Sequence, residues 1–166
     1  MKYLAYFRPN QELSNLIMQQ KHIILPSLGL HSTVCFFQME PEHESSLATG
    51  MSELKFSPFQ IETQRFDDFD SGALVLRLSK SEELSRLHKG IVEVVSKYAT
   101  PDFKNIAEQY FGDNYHPHFT ISESSSCFDR NSTQLFGLGD VIKEYHLAKK
   151  VEGKWKDIKD FHSIQL

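Results

Sequence analysis

Leu30-His31-Ser32-Thr33-Val34-Cys35-Phe36-Phe37 and His116-Pro117-His118-Phe119-Thr120-Ile121 are the two stretches that decide what this chain can be. Both are rich in β-branched and aromatic residues, which favours strands. Side chains alternate faces along a strand, so residues two apart point the same way. His31 and Thr33 then share one face, with Val34 and Phe36 on the other against helices. His118 and Thr120 share a face in the same way, opposed by Phe119 and Ile121. Each stretch sets an imidazole beside a hydroxyl over an apolar underside, and two such strands facing one another would put two imidazoles and two hydroxyls in one cleft.

That set suits phosphoryl chemistry. A neutral imidazole can take a proton from water or a ribose hydroxyl while a protonated one gives a proton to the leaving oxygen. The ordinary histidine pKa of about 6.5 allows both roles near neutrality. Threonine hydroxyls can donate to the non-bridging oxygens. Spacing alone is weak support, because eight His and six Thr in 166 residues give roughly 0.3 His-x-Thr triplets by chance. His43-Glu44-Ser45 has nearly the same spacing but lies in a polar run at an expected helix start. Strand context separates the pair from it.

Outward from these stretches the chain alternates short elements. Residues 2–8, closed by Pro9, suit a strand. Asn10 caps a helix from Gln11 to about Lys21 with Leu13, Leu16 and Ile17 on one face. Pro26 and Gly29 mark a loop. Pro41 and Glu42 open a helix reaching Leu54. Strands at 57–66 and 73–79 flank the turn-like segment 67–72. Ser81 starts a helix in which Leu84, Leu87, Ile91, Val94 and Val95 recur at helical spacing, ended by Pro101. Residues 102–115 read as irregular and aromatic. Ser124-Ser125-Ser126 reads as a loop, and 129–138 as a short helix. Closing strands at 141–151 and 155–165 bracket a hairpin turn at Glu152-Gly153-Lys154. This order predicts one α+β domain over residues 1–166, with one His-x-Thr strand in each half.

Composition is that of an ordinary globular protein, with 40% apolar and 24% charged residues. A net charge of −4 argues against a long nucleic acid held by bulk electrostatics, though not against a small phosphate ester or an oligonucleotide end. Cys35 and Cys127 show no metal or redox spacing, so neither a disulfide framework nor structural zinc is expected. No apolar run approaches a membrane span. The start Met1–Phe7, interrupted by Arg8-Pro9, is too short for a signal peptide, which suits a cytoplasmic protein.

At this point the two motifs resemble the paired signatures of the 2H phosphoesterase superfamily, which includes LigT-like 2′-5′ RNA ligases and cyclic nucleotide phosphodiesterases. The resemblance covers the whole chain, though only the two short motifs are specific. It implies a bilobal α+β fold with pseudo-two-fold symmetry, antiparallel sheets lining a central cleft and helices outside. It further implies activity on 2′,3′-cyclic or 2′-5′ phosphodiester bonds without a cofactor. His31, Thr33, His118 and Thr120 match the motif positions.

Other residues have weaker claims. Arg77, opposite Leu74, Leu76 and Leu78 in its strand, could clamp a phosphate, and so could Arg8. Tyr115 and Phe37 could stack a base, with core packing as the competing expectation. His116 shares a face with His118; a flanking role is expected, since no third ligand points to a metal. The expected partner is a nucleotide cyclic phosphate or short RNA end acting on a monomer, with no membrane and no obligate protein partner. Reversible 2′-5′ ligation is the nearest alternative. A non-catalytic nucleotide- or RNA-end-binding module is the alternative of another class, and a metal-dependent hydrolase is the third.

Overall fold

A computed structural model describes residues 1–20, 23, 27–69, 72–122 and 133–164. His22, Pro26, the serine run, Cys127 and the first part of the helix expected at 129–138 lie outside the described residues. The strands are β1 (Lys2–Phe7), β2 (Ser32–Gln38), β3 (Phe59–Asp68), β4 (Leu74–Leu78), β5 (His118–Ser122), β6 (Gly139–Ile142), β7 (Glu144–Val151) and β8 (Lys154–His162). The helices are α1 (Gln11–Met18), α2 (Glu44–Ser52), α3 (Glu82–Val95) and α4 (Phe103–Tyr110).

The strands form two antiparallel four-stranded sheets, ordered β2-β1-β7-β8 and β5-β4-β3-β6. The α+β architecture is the expected one. Each His-x-Thr strand is the edge of its own sheet. Each is also paired to a strand that carries an arginine within it or directly after it: β2 to β1 and β5 to β4.

The correspondence extends to single residues. Tyr6 lies opposite Thr33 while Ala5 lies opposite Cys35, leaving Val34 as an extra residue in β2. Val75 lies opposite Thr120 while Leu74 lies opposite Ser122, leaving Ile121 extra in β5. Both motif strands therefore bulge immediately after the threonine, and a bulge re-aims the side chains around it.

These bulges revise the face assignment. Val34 and Cys35 are both wholly buried in the main core, whereas Phe36 packs on the opposite side of its sheet with Leu4, Tyr6 and Trp155. Phe36 thus shares the face of Thr33 rather than that of Val34, because the extra residue shifts the alternation by one.

The main core runs between the two sheets and the helices. Phe7 meets Phe59 and Phe119 edge-on at 5.4 and 6.4 Å, and Leu47, Met51, Leu84, Ile91 and Val95 supply the helical side. The predicted caps form: the Asn10 side chain accepts from Leu13 N at 2.8 Å and the Ser81 hydroxyl from Leu84 N at 3.2 Å. Helix α1 buries Leu13 and Ile17 but leaves Leu16 exposed.

Two segments differ from expectation. Residues 102–115 are not irregular, because Phe103, Ile106, Ala107 and Tyr110 follow helical spacing in α4. The strand expected at 141–151 is two strands that break at Lys143, since β6 pairs with β3 whereas β7 pairs with β1 and β8. There the chain passes from one sheet to the other. The closing hairpin turns on Glu152 (φ 49°) and Gly153 (φ 81°), two successive positive φ values that suit a two-residue turn. No helix among the described residues is long and apolar enough to cross a membrane.

Candidate active site

Each motif histidine is held by the backbone two residues before it. His31 Nδ1–H donates to Gly29 O at 2.8 Å, and His118 Nδ1–H donates to His116 O at 2.8 Å. Gly29 adopts φ +77°, a conformation open to glycine without strain. Committing Nδ1 in this way fixes the tautomer and leaves Nε2 as the nitrogen available for proton exchange.

Both imidazoles are half-buried, and burial is the main reason the pKa of each lies below the ordinary histidine value. The backbone acceptor opposes this in each case. Arg8 depresses His31 further, while Arg77, His31 and His116 depress His118 further. The two motif histidines are therefore near enough for charge on one to act on the other.

The arginines occupy equivalent places. Arg77 lies opposite His118 in the register, and Phe7 opposite Ser32 puts Arg8 next to His31 in the same sense. Each is tied to an aspartate: Arg77 Nε donates to Asp67 Oδ2 at 3.0 Å, and Arg8 Nη2 to Asp157 Oδ2 at 3.2 Å. The hydrogen bond from Arg77 holds the Asp67 carboxyl below the usual carboxylate range, against the opposing effect of desolvation.

A cleft of about 680 Å³ brings Thr33 and Phe36 of one sheet together with Arg77 and His118 of the other and with His116 just before β5, with α4 closing one side. Thr120 is half-buried on β5 beside Val75 of β4 and His31 stands edge-on to the Tyr6 ring at 5.5 Å. Neither of these two lines that cavity.

The aromatic expectations need correction. Phe37 is wholly buried, stacked on Tyr3 at 5.5 Å with Phe103 edge-on at 6.4 Å, on the core side and away from the cleft. Tyr115 reaches the cleft wall, but it is 4% exposed and its ring is stacked on His88. Neither has a face open for a base. Rings that do meet the cleft include Phe36, Phe69 and Tyr110, and Phe69 lies 4.8 Å from the His118 ring. Phe69 was hidden inside an acidic turn, where its lone aromatic character was the available signal.

His116 is exposed at the cleft rim. Among the described residues, no three His, Cys, Asp or Glu side chains are grouped to hold a metal ion. His43, the spacing decoy, ends a 3-10 turn at the start of α2 and packs on Tyr98 at 5.8 Å.

Missed by sequence were the supports behind Thr33. His88 is 1% exposed; its Nδ1–H donates to Val34 O at 2.9 Å and its Nε2 accepts from Gly112 N at 3.2 Å. The Tyr115 hydroxyl donates to Thr33 O at 3.3 Å. A buried imidazole thus joins the bulge of the first motif to the segment leading into the second.

Known structures share this fold. The phosphate complex of E. coli LigT matches with a TM-score of 0.71 at 13% identity, over 99% of this chain and 98% of that one. The Thermus thermophilus protein TT0787 matches with a TM-score of 0.72 at 16% identity, over 98% and 97%. Usb1 of Kluyveromyces marxianus matches with a TM-score of 0.52 at 12% identity, over 94% and 96%. No curated protein matches the sequence. The model of the 2′-5′ RNA ligase superfamily matches residues 11–128, a span that holds both His-x-Thr motifs. The chain belongs to the 2′-5′ RNA ligase superfamily of 2H phosphoesterases.

Proposed function

We propose that this protein is a metal-independent phosphodiesterase that opens 2′,3′-cyclic phosphates or cleaves 2′-5′ phosphodiester bonds of nucleotides or RNA ends, with His31 and His118 as its acid–base pair. The observation that carries this reading is the matched anchoring of the two imidazoles, each with Nδ1 on the carbonyl two residues back. With Nδ1–H committed, a neutral ring offers a lone pair at Nε2 and a protonated ring offers a proton there.

For a cyclic phosphate, one Nε2 takes a proton from water as its oxygen bonds to phosphorus. The bond from phosphorus to one ribose oxygen breaks, and the other histidine protonates that oxygen, leaving a phosphomonoester. Thr33 and Thr120 hydroxyls donate to the non-bridging oxygens as charge builds there. The depressed pKa values keep both histidines neutral in the free protein at neutral pH. An arriving anionic diester favours the charged form of the histidine beside it, so substrate binding itself creates the acid. With a ribose hydroxyl in place of the attacking water, the same proton exchange bonds that hydroxyl oxygen to phosphorus as the ring P–O bond breaks, which is the ligase sense of the reaction.

The family membership supports the reaction class. The E. coli LigT structures include complexes with phosphate, 3′-AMP, ATP and NADP+, which is consistent with a nucleotide in a cleft of this fold.

Hydrolysis of the four nucleoside 2′,3′-cyclic phosphates and of 2′-5′-linked dinucleotides, with and without EDTA, tests the reading. Turnover unaffected by EDTA is expected. Loss of activity with EDTA contradicts the metal-free mechanism. Tight binding without turnover of any of these substrates supports a nucleotide-binding module instead.

A further inference from the structure

Beside the reaction cleft lies a second pocket of about 350 Å³ whose lining includes Arg65, Arg77, Lys80 and His116. Arg77 and His116 line both cavities, so the two meet at the His118 edge. In a chain of net charge −4, this is a local reversal of sign, and such reversals concentrate anions.

Strand register builds it. His118 lies opposite Arg77. On β3, Thr63 faces Leu78 while Phe66 faces Leu76, so Gln64 and Arg65 together oppose the single residue Arg77. Two residues facing one is a bulge, and it adds Arg65 to the row that His118 and Arg77 begin. The backbones of His118 and Arg65 are then two strand spacings apart, roughly 10 Å, a gap that long cationic side chains span.

The charges there are under-compensated. Asp67 pairs with Arg77 at 3.0 Å, and Asp68 lines the adjoining cleft. Lys80 Nζ donates to the carbonyl of Gly112 at 2.9 Å and lies 5.6 Å from the Tyr115 ring centre, with no carboxylate on it among the described residues. Arg65 is exposed and acts on Asp67 only through its field, making no ion pair among the described residues. Arginine and lysine side chains such as Arg65 and Lys80, with no carboxylate on them among the described residues, match phosphate oxygens.

We propose that this pocket holds the phosphate that flanks the scissile linkage, so that the preferred substrate is an oligonucleotide end carrying at least one further phosphodiester, not a nucleoside bearing only a cyclic phosphate. The proposal rests on the phosphodiesterase reading of His31 and His118 and names the substrate class of that site. Contacts of this kind act mainly through affinity and weaken with salt.

The test compares uridine 2′,3′-cyclic phosphate with adenylyl-(3′→5′)-uridine 2′,3′-cyclic phosphate, which adds one diester. The wild-type protein, Arg65→Ala, Lys80→Ala and the double variant are measured at about 50 and 200 mM salt. The wild type is expected to favour the dinucleotide at least tenfold in kcat/KM at low salt. In the double variant that ratio falls at least fivefold, through KM, and its salt dependence flattens. An unchanged ratio, or equal losses on both substrates, overturns the proposal. If the wild type turns over neither substrate, the reaction reading fails separately, and anisotropy of a fluorescein-labelled dinucleotide 3′-phosphate decides the pocket. Binding at least fivefold weaker in the double variant supports it, and equal binding overturns it.

Discussion

His88 and Tyr115 stack face to face, with ring centres 4.0 Å apart and planes 5° from parallel. From this pair one hydrogen bond runs to Val34 O, one to Thr33 O and one comes from Gly112 N. The pair ties the strand of the first motif to the segment that leads through His116 and Pro117 into the second.

Protonating His88 would turn the Nε2 acceptor into a donor facing the Gly112 N–H, and burial already disfavours the charge; its pKa is lowered to about 4. A folded pKa below the unfolded value means that stability is full above about pH 6.5 and is lost as pH falls toward 4, by about 3 kcal/mol for this residue. His31 and His118 act in the same direction. Urea unfolding from pH 7.5 to 4 should therefore show falling stability, with a shallower slope in His88→Phe. That variant should also be less stable at pH 7, since it leaves Val34 O and Gly112 N unpaired. Equal slopes in the two proteins would contradict this assignment.

The pH dependence of catalysis should separate free and bound states. Both motif histidines have lowered pKa values in the free protein, so the bell in kcat/KM should centre below about pH 6.5. The anionic substrate raises them, so the bell in kcat should lie at higher pH. Because the groups interact, the limbs report macroscopic values. Rate profiles at saturating and at limiting substrate give the comparison.

Each arginine disfavours the charged form of its neighbouring histidine. Arg8→Ala should raise the pKa of His31, and Arg77→Ala that of His118, followed by imidazole chemical shifts across pH 4–8. The larger shift should fall on the adjacent ring, with a smaller one passed on through the interaction between His31 and His118.

Thr33 lines the cleft with His118. Thr33→Val keeps the shape and removes the donor, and should lower kcat by about 100-fold, as loss of one preorganised donor commonly does. Thr33→Ser should retain most of the activity. Steady-state kinetics on whichever cyclic phosphate turns over fastest makes the measurement.

Much of this was legible in local pattern. Period-two alternation put His31 with Thr33 and His118 with Thr120, and helical spacing with a serine cap marked α3. What escaped depended on partners distant in sequence. The bulges at Val34 and Ile121 exist only in the pairing with β1 and β4, so the placement of Phe36 on the cleft face could not follow from alternation. The break at Lys143 reflects two strands recruited by different sheets. Helix α4 is only eight residues long, too short for its apolar spacing to stand out among polar neighbours. His88 carried no local sign of its role, because both of its hydrogen-bond partners are backbone groups remote in the chain.

The acid–base pairing of His31 and His118 is tested most directly by single-turnover hydrolysis of a 2′,3′-cyclic phosphate by His31→Ala, His118→Ala and the double variant, each confirmed as folded. Each single change should lower the rate by about 10²–10⁴-fold, and the double variant should be little slower than the worse single, because the two residues act as a unit. Wild-type turnover in either single variant would contradict the account.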